Sequence, residues 1–183
     1  MDTDPTSRRL IVTVTDARGR AVPDGGLGRW LRSIAPPRVR GEIAIAIITD
    51  AHMRKLNRDH RRVDKATDVL AFPVDDGTRG TRGTRGTDGT RSLGDIVIAR
   101  GVAERQAAEH RHRLQTELRI LALHGLLHLI GYDHEARSDR GRMKRAEDRL
   151  RRKGGLTAGL IGRTPAPQTS RASRPARRRA KKR

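Results

Sequence analysis

The sequence predicts an α/β (α+β) fold of one domain, with elements in the order β-α-β-α-β-β-α-α-α. Three observations carry this. Two β-branched runs flank a short helical pattern near the start, two more lie on either side of a Gly-rich connection, and from Gly101 onward the apolar residues recur at helical spacing. A chain of 183 residues is long enough for one real core, and a second domain of similar size does not fit.

The first strand is "RRLIVTVTD", alternating and β-branched from about Arg9 to Thr15. Asp24 can then cap a helix carrying Leu27, Trp30, Leu31 and Ile34, which Pro36 and Pro37 stop. "GEIAIAIITD" follows as a more buried strand, completing a β-α-β unit. Asp50 can cap a short helix, "AHMRKLNRDH", after which "TDVLAFPV" and "LGDIVIAR" read as two strands of a hairpin. Their connection, at about 76–91, holds Thr-Arg-Gly three times over and no apolar residue, which reads as a flexible, solvated loop expansion. The remainder is helical: one helix to about Arg111, a strongly apolar one from Leu114 to Ile130, and a charged one from about Ser138 to Arg152. Beyond Gly154 and Gly155 the apolar periodicity stops, so residues 156–183 are expected to be a disordered basic tail.

Lys and Arg total 41 against 21 Asp and Glu, a formal charge of +20. Nine basic and no acidic residues lie between Arg163 and Arg183, which leaves +11 on the body. An excess of that size points to a polyanionic partner, and it does not come from the tail alone. The chain has no cysteine, so disulfides, thiolate metal sites and cysteine nucleophiles are excluded. It shows neither an 18-residue apolar run nor a secretory order at the N-terminus, and a cytoplasmic protein without a membrane partner is expected.

The chemistry concentrates in "HGLLHLIGYDH". His124 and His128 are four apart, so on a helix their rings stand on one face, a turn apart. Gly131 can end that helix in the left-handed conformation and bring His134 round to the first two. A single histidine on an apolar helix is ordinarily a satisfied core residue, but three at this spacing would each need separate desolvation and hydrogen bonding. One divalent ion satisfies all three at once. Three imidazoles leave a fourth corner of a tetrahedron open, as in a catalytic zinc site. The spacing is also that of the long zinc-peptidase motif, in which position 125 carries the general base; here it is Gly125, with no side chain.

A second cluster lies in "LNRDHRRVDKATDVLAFP". Arg61, Arg62 and Lys65 are compatible with a phosphate-binding surface, since Arg can hold a phosphate through two parallel hydrogen bonds. Asp64, Thr67 and Asp68 read as caps and turn formers, and Asp95 stands early in an otherwise buried strand.

Taken in order, "LN..HR..D.ATDVLAFP", "LGDIVIA" and "LHGLLHLIGYDH" resemble the YbeY family of bacterial endoribonucleases, over about Leu10 to Leu150. The resemblance implies a single α/β domain over residues 1–155 with a small four-stranded mixed sheet and about five helices. It implies one zinc ion on His124, His128 and His134, with Arg61 beside the metal as the catalytic and phosphate-holding arginine. It also implies hydrolysis of single-stranded RNA, near the 3′ end of small-subunit rRNA, in ribosome maturation and quality control. The partners it implies are rRNA, the small ribosomal subunit and assembly factors such as the Era GTPase. His60 stands where relatives commonly have Tyr, and the Thr-Arg-Gly insert and basic tail are additions. Two rivals remain open on the residues alone: a zinc peptidase or amidase with Asp133 or Glu135 as a displaced base, and a non-enzymatic ribosome-assembly factor whose metal only clamps a helix to its loop.

Overall fold

In the computed structural model, which describes residues 10–74, 91–134, 137–157 and 159–161, the nine expected elements appear in the expected order. They are β1 (Leu10–Asp16), α1 (Leu27–Ile34), β2 (Gly41–Ile48), α2 (Asp50–Arg61), β3 (Val69–Pro73), β4 (Ser92–Ala99), α3 (Arg100–Glu109), α4 (Leu114–Leu129) and α5 (Arg142–Lys153). The Thr-Arg-Gly insert, apart from Arg91, and the chain from residue 162 onward lie outside the described residues.

The sheet is mixed, with strands in the order β1-β2-β4-β3. β1 pairs parallel with β2 and β2 parallel with β4, while β3 pairs antiparallel with β4 as the second arm of the hairpin. Side chains alternate between faces, and that divides the core in two. Leu10, Val12 and Val14 of β1, Ile43 and Ile45 of β2, and Ile96 and Ile98 of β4 join α1, α4 and α5 in the larger cluster. Ile48, Leu70, Val97 and Ala99 join Met53 of α2 on the opposite face. The central element is α4, buried nearly all round from Leu118 to Leu129 because the sheet, α1, α3 and α5 all pack on it.

The caps differ from the expected ones in an instructive way. Asp24 does serve α1, but from two residues ahead of the cap: its carboxylate accepts from the N–H groups of Gly26 (2.8 Å) and Gly28 (2.8 Å). Those bonds, Gly28 foremost, hold its carboxyl below the ordinary range. Asp50 is not the cap of α2. Thr49 takes that place, its hydroxyl accepting from His52 N–H at 3.3 Å. Asp50 instead reaches across to α3, accepting from Val102 N–H at 3.1 Å and pairing with Arg105 at 2.7 Å. No side chain of α3's own cap residue does this, so a neighbour supplies the acceptor its free N–H groups need. Asp64 is an ion-pair partner as well as a turn residue, gripping Arg54 with both oxygens, at 2.8 and 2.6 Å.

The packed body also runs further than the sequence suggests. Beyond residue 155, Leu156 is buried, and Leu160 and Ile161 pack against the larger core cluster. Apolar periodicity missed this because three isolated residues on an irregular segment make no pattern.

Candidate metal centre and its cleft

The last turns of α4 are buried apart from His128, so what they present is decided by the gap left between α4, β3 and the chain returning from Gly131. His124 is buried, His128 half-buried and His134 exposed. Gly131 has φ of 87°, the left-handed geometry that a side chain would oppose, and it turns the chain just after α4 ends. His134 thereby comes back over the helix: the ring centroids lie 4.8 Å (His124 to His128), 5.1 Å (His124 to His134) and 5.4 Å (His128 to His134) apart.

The nitrogens converge. One ligand atom from each ring lies within 4.8 Å of the others, and the Nε2 atoms of His124 and His128 face each other at 3.1 Å. Two nitrogens on one tetrahedral ion with bonds of about 2.0–2.1 Å sit about 3.3 Å apart, so this pair is close to ligating distance. Among the described residues no other group of three His, Asp or Glu side chains meets in this way. The donor set is all imidazole, which fits a borderline-soft divalent cation rather than a hard oxygen-seeking one. These residues could hold a metal ion.

Behind His124 stands a residue that sequence reasoning did not single out. Glu147 of α5 is 1% exposed and places Oε1 3.4 Å from His124 Nδ1. A carboxylate only accepts, so Nδ1 donates, and Nε2 is left with its lone pair facing His128. The signal was present in the sequence. Met143, Ala146, Glu147 and Leu150 form the buried stripe of α5, so a carboxylate occupies a position at which the helix period calls for an apolar side chain. By contrast His112 stays apart from the site, paired with the fully buried Glu117 of α4 at 2.6 Å.

Gly125 faces β4. A Cβ there would come within 2.8 Å of Ile96 Cγ2, so the close packing of α4 on the sheet leaves no room for a glutamate at the position where a peptidase carries its base. Of the two displaced bases considered, Asp133 lines the cleft and Glu135 lies outside the described residues.

The histidines open into a cleft of about 690 Å³ whose far wall is β3 and the end of α2. Arg61, the last residue of α2, lines it, together with Thr67, Asp68 and Tyr132. Arg62 and Lys65 do not: they lie exposed on the adjoining turn, where Arg62 adopts the left-handed conformation at φ 61°. Asp68 is held by Val69 N–H (2.8 Å) and Gln106 (2.9 Å), which fixes the entry to β3. His60 packs edge-on against Phe72 with centroids 5.0 Å apart, so it is used as a ring. Asp95 is exposed on β4 and is not part of the cleft lining.

With this geometry in view, the profile of the family described as Endoribonuclease YbeY matches residues 30–155, which include both α4 and Arg61. The chain belongs to the YbeY family. Proteins named Endoribonuclease YbeY align with it from Solibacter usitatus (49% identity over 64% of this chain and 69% of that one) and Koribacter versatilis (43%, over 74% and 80%). One from Pelotomaculum thermopropionicum aligns at 36% over 76% of this chain and 93% of its own. The YbeY match ends at residue 155, so the packed segment at 159–161 lies beyond it.

Proposed function

We propose that this protein is a zinc-dependent, single-strand-specific endoribonuclease that works on rRNA, at the 3′ end of the small-subunit species. Three imidazoles converging on a cleft that Arg61 also lines is the observation that carries the reading. Family membership supports the phosphodiester as the bond cut. Zinc bound to His124, His128 and His134 would supply Lewis acidity, polarising a phosphoryl oxygen and acidifying water toward a pKa of about 7.

The chain's own residues do the rest. Arg61, across the cleft, holds non-bridging oxygens of the scissile phosphate and stays with them as charge builds. Glu147 keeps His124 in the tautomer with a free Nε2. The exposed Arg62 and Lys65 bind backbone phosphates flanking the cut. With one Trp, one Tyr and one Phe in the chain, backbone contacts rather than base stacking dominate affinity. No helix among the described residues is long and apolar enough to cross a membrane, and the basic body suits a cytoplasmic protein meeting the small ribosomal subunit and assembly factors such as the Era GTPase.

The test is metal removal. The purified full chain should contain about one zinc per protein, lose single-stranded RNA cleavage on chelation and regain it when zinc alone is returned. Cleavage that persists in metal-free protein would refute the reading.

A further inference from the structure

Glu147 has more partners than a helix residue needs, and two of them come from beyond residues 30–155, which the family profile matches. Its Oε1 accepts from Leu160 N–H at 3.1 Å and its Oε2 from Ile161 N–H at 3.0 Å, while Oε1 also meets His124 Nδ1. The side chain is 1% exposed, and among the described residues no Lys or Arg pairs with it. A buried carboxylate is tolerated only when its lone pairs are filled, and here backbone N–H groups of the C-terminal segment fill them. The segment passes at contact distance: a Cβ on Gly159 would fall 2.5 Å from Glu147 Oε2. Leu160 and Ile161 themselves line the cleft.

We infer that Glu147 is a positioning residue and that residues 159–161 are a working part of the metal centre. The chain of contacts runs from the two backbone N–H groups to the carboxylate, from the carboxylate to His124 Nδ1, and so to the ring's orientation and its free Nε2. Without the segment, Glu147 loses two of its three partners and its buried carboxylate must move toward water. His124 then loses the acceptor that orients it. Loss of the partner behind a metal-ligating imidazole typically weakens metal binding by about 10- to 100-fold. The inference rests on the metal reading of the three histidines.

The experiment compares zinc dissociation constants, by competition with a chromophoric chelator, and the visible d–d spectrum of the cobalt(II)-loaded protein. The proteins are the full chain, Glu147→Gln, His124→Ala, a chain ending at Gly162 and a chain ending at Thr157. The Gly162 chain loses all nine basic tail residues and should match the full chain in both readouts. Glu147→Gln and the Thr157 chain should each bind zinc about 10- to 100-fold more weakly, with altered cobalt bands while still folded by circular dichroism. Full affinity and an unaltered spectrum in the Thr157 chain would overturn the role of the segment, and the same result in Glu147→Gln would overturn that of the carboxylate. Should Glu147→Gln fail to fold, the Thr157 chain still decides. If His124→Ala binds zinc as the full chain does, the metal reading itself is wrong, an outcome separate from the other two.

Discussion

The two sides of the cleft are built by opposite means. On one side, α4 and α5 present His124, its carboxylate partner and a buried stripe of apolar side chains, and each oxygen of that carboxylate has a partner at a fixed distance. On the other, the end of α2 and its following turn present Arg61, Arg62 and Lys65 on exposed stems. Burial makes the first side exact, since an imidazole surrounded by Leu and Ile has few alternatives once its nitrogens are assigned. Exposure makes the second adaptable, as suits a polyanion whose phosphates arrive with variable spacing. Under the proposed function, a rigid ion site facing a compliant basic edge would divide the labour: the metal would set where chemistry occurs, and the charge would gather the strand.

Breaking the buried side should cost most. His128→Ala removes a half-buried imidazole of the proposed metal site, and its zinc content and RNA cleavage should both fall to background, measured by metal analysis and a single-stranded RNA assay on the same preparation. Arg61→Ala tests the other wall. It should keep its zinc and lose about 10²–10³-fold in the cleavage step under single-turnover conditions, the loss typical when one group stabilising transition-state charge is removed. If Arg61→Ala cuts at the full rate, the compliant side only binds.

Gly125→Ala probes how tightly α4 sits on the sheet. The added methyl meets Ile96, and thermal unfolding should report a loss of about 1–3 kcal/mol. Asp24, away from the site, gives a smaller effect with a definite pH sign. Its carboxyl is held low by backbone N–H groups, so the stability it contributes is present above the ordinary carboxylate range and is lost as pH falls through the depressed folded value. Asp24→Ala should therefore cost about 1 kcal/mol in urea unfolding at neutral pH, with the gap from the parent closing in strong acid. The smallest change belongs to the exposed turn. Arg62→Ala and Lys65→Ala should each leave cleavage at low salt nearly intact and make the log–log salt dependence of RNA binding shallower by about 0.7.

Much of the site was readable as spacing. His124 and His128 follow from the helix period, and His134 from a glycine whose φ of 87° is the conformation its place after α4 requires. The strands were equally legible, since β-branched residues alternating with smaller or polar ones show the period of two that a strand requires. Glu147 was readable only as a carboxylate on the apolar stripe of a charged helix, and its partner was not readable, because "RMKRAEDRLRRK" does not show what that stripe packs against. Asp50 was misread for a related reason: its position suits a cap of its own helix, but the N–H it bonds belongs to Val102, 52 residues on.

What the sequence determined by itself is therefore local and periodic: the order of elements, the basic balance, the three histidines on one turn-linked face and the absence of a side chain at Gly125. Only the tertiary structure decided which carboxylate stands behind His124, that Leu160 and Ile161 close over it, and that Arg61 lines the cleft while Arg62 and Lys65 do not. The reason is physical. Period and propensity act over a few residues, whereas a buried carboxylate is satisfied by whichever donors the packing brings within reach, and those donors lie 13 and 14 residues further along the chain.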